Sequence, residues 1–146
     1  MIVALVTAIL GALLGTAGFI ISILAFLRDR PNIRVTLVWD LESTGHSGVR
    51  IGLVNVTNIG RRAIYIGAVA LELPKTYKYN ALLLWDSISG NRLGEGDPPA
   101  KVTINYDSFS QYKSDWNKIR AFAEDSAGKK YYSDYPGKKP SWAQDS

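Results

Sequence analysis

VRIGLVNVTNIGRRAIYIGAVALEL, residues 49–73, places two apolar runs on either side of a polar break at Thr57-Asn58-Ile59-Gly60-Arg61-Arg62. The first run, Val49 to Val56, is apolar nearly throughout, the pattern of a central strand covered on both faces. Thr57 to Gly60 closes a hairpin in this reading, with Gly60 supplying a positive φ. In the second run, Ala63 to Leu73, Ile64 and Ile66 fall in one phase of a two-residue period and Val69, Leu71 and Leu73 in the other. That slip at Gly67-Ala68 predicts a β-bulge.

Toward the N-terminus, Leu41 to Gly48 reads as a polar turn. Before it, Ile33, Val35, Leu37 and Trp39 alternate with Asn32, Arg34, Thr36 and Asp40, so another strand is expected. Pro31 marks an abrupt change of pattern. Upstream of it, Ile2 to Leu27 is a solid apolar block without a charged residue, so the 17 basic and 13 acidic side chains, and the net charge of +4, belong to the part from Arg28 onward. As a helix this block spans roughly 39 Å against a hydrocarbon core of about 30 Å. It lacks a polar stripe, offering only Thr7, Thr16 and Ser22, and it ends in Phe26-Leu27-Arg28 without a small-residue cleavage site. It is therefore expected to be a retained transmembrane anchor. Arg28, Arg30 and Arg34 directly after the span predict a cell-membrane protein whose C-terminal domain is cytoplasmic, the alternative being periplasmic or extracellular. Gly11 and Gly15, then Gly18 and Ser22, recur at four-residue spacing and are candidates for helix–helix packing.

Toward the C-terminus, strands are expected at Ala81 to Ile88, Lys101 to Tyr106, Ile119 to Glu124 and Lys129 to Ser133, with the turn Asp125 to Gly128 joining the last two. Ser108 to Trp116 reads as one or two helical turns with a capping box at Ser108 and Gln111, and with Phe109, Tyr112 and Trp116 on one face. With 146 residues, the chain holds one core and an appendage. The expected organisation is a helix over 1–28, a linker over 29–32, a mainly β domain over 33–133 forming an antiparallel immunoglobulin-like β-sandwich, and a loose tail over 134–146. A small closed barrel is the competing architecture.

Asn58-Ile59-Gly60-Arg61-Arg62 between apolar strands and the late turn Asp125 to Lys129, together with the anchor, resemble small bacterial single-pass membrane proteins of unknown function that carry an immunoglobulin-like domain. The resemblance covers most of the chain and implies the same fold. It carries over no catalytic residue, and Ala63 stands where a proline often follows the paired arginines.

No reactive constellation emerges. Cysteine is absent and His46 is the single histidine, which argues against thiolate and multi-histidine metal sites. Thr44-Gly45-His46-Ser47-Gly48 fails the nucleophile-elbow pattern at Val49. Gly90 to Gly96 lacks the order and the lysine of a phosphate loop and reads as an ordinary inter-strand loop. Asn55-Val56-Thr57 matches a glycosylation acceptor only formally, since it lies inside an apolar strand. Trp39, Trp85 and Trp116 are read as core or interface residues. A surface facing anionic headgroups is expected from Arg28, Arg30, Arg34, Lys129, Lys130, Lys138, Lys139 and Trp142. Nucleic acid is disfavoured because acidic residues are interleaved with the basic ones.

The expectation is thus a membrane-anchored, non-catalytic binding or assembly module without cofactor or metal. Its partners would be the lipid bilayer and a membrane protein or a second copy of itself, with any small ligand unknown. The alternative is a membrane-perturbing effector or small pore component triggered through its β domain.

Overall fold

The structure, a computed structural model, describes residues 2–42 and 48–144, with the side chains of Arg28, residues 85–91 and Ser108 outside the description. An N-terminal helix α1, Ile2–Arg28, precedes seven strands: β1 Ile33–Glu42, β2 Arg50–Asn58, β3 Ile64–Glu72, β4 Ala81–Leu93, β5 Ala100–Asn105, β6 Arg120–Asp125 and β7 Lys130–Tyr132. The strands form two antiparallel sheets, ordered β1-β2-β5 and β4-β3-β6-β7. One hydrophobic core lies between them: Ile33, Val35, Val54, Val56 and Ile104 from the first sheet meet Ile66, Val69, Leu71 and Ala121 of the second, with Ile119 just before β6. Each large aliphatic side chain fully buried there contributes about 1.5–3 kcal/mol. The barrel alternative is set aside, because among the described residues no strand pairing joins the two sheets.

Alternation in β1 matches the sequence pattern, with Ile33 and Val35 buried and Arg34, Thr36 and Asp40 exposed. The bulge in β3 is present: its register shifts between Ile66 and Ala68 against both β4 and β6, so Ile64, Ile66, Val69 and Leu71 all face inward.

Four expectations are corrected. β2 is central in its sheet, but only Gly52, Val54, Val56 and Asn58 are buried while Ile51, Leu53, Asn55 and Thr57 are half-buried, so its outer face lacks a covering layer. β2 and β3 belong to different sheets, so Thr57 to Gly60 opens a crossing between layers rather than a hairpin. Gly90 to Leu93 extends β4 instead of forming a loop, with Leu93 opposite Ile64.

The fourth concerns the C-terminal residues, which are packed rather than loose. Pro140, Trp142 and Ala143 are buried, and Ser141–Ala143 forms a short 3-10 turn. Aromatic contact explains this. Trp142 sits against Trp39 and Phe109 with ring centroids 5.5 and 5.2 Å away, a stabilising tilted geometry that a reading by periodicity does not register.

The segment before β6 is helical as expected, but as 3-10 turns at Tyr106–Ser108 and Ser110–Lys118, with Phe109 at the N-cap position and no side-chain cap. Phe109 and Tyr112 are buried and Trp116 packs against the core.

Candidate functional site

The pairing registers sort the molecule into two ends. Ile33 lies opposite Asn58, Val56 opposite Ala100, Ile64 opposite Leu93, and Glu124 opposite Lys130. The β2–β3 crossing, the β4–β5 loop and the β6–β7 turn therefore stand at the end where α1 attaches. Glu42, Arg50, Asn105 and Arg120 mark the far end, about 30 Å away along β1.

At the helix end the linker is fastened to the crossing. Asn32 O accepts from Ile59 N at 2.8 Å and from Gly60 N at 3.2 Å. Asn58, only 7% exposed, donates through Nδ2 to Arg62 O and Leu93 O at 2.9 Å each and accepts Gly60 N at Oδ1. A Cβ on Gly60 would stand 2.6 Å from both Arg30 O and Asn32 N. The glycine is required by close approach of backbone, not by a positive φ, which occurs at Gly48, Gly96 and Gly128. The clasp holds Arg61 and Arg62 beside Phe26, Asp29 and Arg30.

Lys129 and Lys130 share this end. Asp125 builds their turn by accepting Ala127 N and Lys129 N at 2.9 Å through Oδ1, with Gly128 at φ 81°. Arg34, second in β1, is exposed here too. Five of the eight residues expected to face headgroups thus lie at the helix end, Arg28 by its backbone alone.

The other three do not. Lys138 lines a polar recess of about 520 Å³ with Asp40, Glu42, Gly48, Arg50 and Gln144 at the far end, and Lys139 follows it in the chain. Trp142 is 8% exposed. The fold does not bring Lys138 and Trp142 together with the other five: Lys138 stands beside Asp40 at the far end, and the Trp142 indole fills the core. Arg61 and Arg62, which the sequence presents only as turn residues, also stand at the helix end. Their adjacency in sequence to Asn58 and Gly60 was the available signal.

The far end is organised around Asp40, which has φ 61° at a register shift between Val38 and Leu41. Its carboxylate accepts Ser141 N at 3.0 and 3.1 Å and the Ser141 hydroxyl. Its own N–H donates to Tyr106 Oη at 2.6 Å, and that hydroxyl has Asp40 Oδ1 and Ile51 O within reach at 3.2 Å. Burial works to raise the Asp40 pKa, but the Ser141 and Tyr106 hydrogen bonds and the Arg50 charge outweigh it and hold the carboxyl below its ordinary range. Burial, reinforced by the Asp40 charge, pushes Tyr106 up to about 12.

A raised acid pKa in the folded state stabilises fully below the unfolded value and is lost as pH rises through the folded one. The Tyr106 contribution is therefore present below pH 10 and disappears between 10 and about 12. Denaturant unfolding at stepped pH is expected to show a fall across that window that Tyr106→Phe reduces. An identical fall in the variant would assign the loss to other groups.

This network joins a carboxylate, a serine and a phenol as a fastener for the C-terminal segment. His46, with the rest of 43–47, lies outside the described residues, as do the side chains of Trp85 and Ser108. Among the described residues no cluster of three or more acidic, histidine or cysteine side chains is placed to hold a metal. Asn55 and Val56 lie within β2, with the Asn55 Oδ1 buried, consistent with setting aside the glycosylation pattern.

On α1, Gly11, Gly15, Gly18 and Ser22 fall within about 60° of one another at roughly 100° per residue. A Cβ at any of the three glycines would touch nothing. Thr7, Thr16 and Ser22 spend their hydroxyls on carbonyls of the preceding turn, which satisfies them without water. No protein-family profile matches the sequence, and no curated protein is significantly similar to it.

Proposed function

We propose that the protein is a single-pass, membrane-anchored assembly module that acts by contact, as an accessory subunit of a membrane complex or by self-association. The carrying observation is the state of α1. Ile2 to Leu27 has a mean hydropathy of 2.3 and none of it is buried, while the sandwich completes its core without it. Among the described residues a stretch of this kind finds no cover, and lipid is the medium that fits it. The Arg28, Arg30 and Arg34 cluster beyond the span favours a cytoplasmic domain. The strand order β1-β2-β5 over β4-β3-β6-β7 supports reading the domain as immunoglobulin-like: it corresponds to A-B-E over C′-C-F-G, with strand D missing. This agrees with the resemblance to small bacterial anchored proteins.

The contact surface on the helix is the narrow stripe of Gly11, Gly15, Gly18 and Ser22, where backbones approach closely enough to pack. Tethering places the domain beside its partner and raises the effective concentration of any second contact, including pairing at an exposed sheet edge. Replacing Gly11 and Gly15 with leucine is expected to shift the full-length protein in mild detergent to smaller assemblies, measured by light scattering coupled to size exclusion. An unchanged oligomer would remove the helix stripe from the account, and complete release by carbonate would remove the anchor.

A further inference from the structure

The helix-end clasp creates a feature that the assembly reading does not use. A notch of about 500 Å³ opens between the end of α1 and the β2–β3 crossing, lined by Phe26, Asp29, Arg30, Pro31, Arg61 and Arg62. Its walls differ in kind. Arg30 lies over the Phe26 ring at 5.3 Å, and Arg61 also flanks Ile21, Leu24 and Ala25 on the last turns of the helix. Among the described residues Arg30 and Arg62 have no carboxylate partner, and Arg61 meets Glu95 only at 3.9 Å with both side chains largely exposed. Three arginines thus line the notch with a single acidic residue, Asp29, on a turn fixed by Asn32 O and by the close approach of Gly60 to the linker backbone. Such a gathering is unfavourable alone and favourable around an anion.

We propose, on the basis of the membrane reading above, that this notch seats the phosphate of an anionic phospholipid from the bilayer that holds α1. Depth supports that source. The apolar span exceeds the hydrocarbon core by about 9 Å, so the final turns of α1, and the arginines beside them, stand among headgroups. The phosphate takes the forked donors of Arg30, Arg61 and Arg62, and the acyl chain lies along Ile21 and Leu24. Asp29 accepts a headgroup hydroxyl, which favours a glycerol headgroup over choline.

The test is native mass spectrometry of the full-length protein released from bilayers containing phosphatidylglycerol and phosphatidylcholine in equal amounts. Wild type is expected to retain phosphatidylglycerol preferentially. Arg61→Gln with Arg62→Gln should lower that retention about twenty-five-fold, at roughly fivefold per basic group near a membrane surface. Lys138→Gln with Lys139→Gln, the same charge loss at the far end, should leave it unchanged. Arg30→Gln, in the linker, serves as a second variant should the paired change unfold the domain. Equal retention of the two lipids, retention insensitive to the arginines, or displacement of lipid by inorganic phosphate would overturn the proposal. Oligomer mass is read in the same spectra: lipid lost with the assembly intact tests the notch, and assembly lost with lipid retained tests the module reading alone.

Discussion

Truncation after Gly137, or Trp142→Ala alone, is expected to destabilise the β domain by about 3–5 kcal/mol, the range for deleting a large buried aromatic. Trp142 is 8% exposed and contacts Trp39 and Phe109, which in turn touch Tyr106 and Tyr112. Its removal opens the centre of an aromatic cluster that closes the far end of the sandwich. Truncation also takes away Ser141, whose N–H and hydroxyl both donate to the Asp40 carboxylate, leaving Tyr106 as its remaining hydroxyl partner. Urea unfolding of the full-length protein in detergent, followed by far-ultraviolet circular dichroism, measures the loss. A free tail predicts a change within about 0.5 kcal/mol, so the two descriptions separate clearly.

Asn58→Ala carries the second large effect, about 2–4 kcal/mol, concentrated at the helix end. The side chain makes three hydrogen bonds from a buried position, two to carbonyls of Arg62 and Leu93 and one from Gly60 N. Alanine restores none of them, and each buried group left without a partner costs about 1–3 kcal/mol, reduced where water reaches the turn. Asn58→Asp is expected to be no better at neutral pH, since it sets a carboxylate against two carbonyl oxygens. The same unfolding measurement gives the total. Amide exchange at Ile59 and Gly60 locates it, because their N–H groups depend on the clasp to Asn32 O. Unaltered exchange at those two amides would show that the crossing is held by something other than Asn58.

The sequence made some of this legible and hid the rest for identifiable reasons. Strand positions followed from two-residue alternation, and the β3 bulge from a phase slip visible at Gly67, because both are local consequences of which side chains face the core. The turn at Asp125 was equally readable, since its Oδ1 accepts from Ala127 N and Lys129 N, both within four residues. What failed was non-local. Thr57 to Gly60 has the composition of a hairpin turn, and nothing within it tells whether the next strand pairs back or crosses to another sheet. Gly60 invited the positive-φ explanation, while its actual constraint comes from Arg30 and Asn32, about thirty residues upstream. Trp142 sits in a polar stretch whose pattern is that of a loose end, and its burial depends on Trp39 and Phe109, separated from it by long intervals of chain. The basic residues divided likewise: Lys129 and Lys138 look alike in sequence, and only the folded chain assigns them to opposite ends, Lys129 in the β6–β7 turn and Lys138 beside Asp40.

The short linker between Arg28 and Ile33 has a geometric consequence. With Pro31 fixing one torsion and Asn32 O bound to the crossing, few joints remain through which the sandwich can swivel about the helix axis. Lengthening the helix by one residue therefore re-aims every face of the domain by about 100°, whereas adding seven restores its heading to within about 20°. The molecule behaves as a crank, in which the rotational setting of the shaft dictates the compass bearing of the handle.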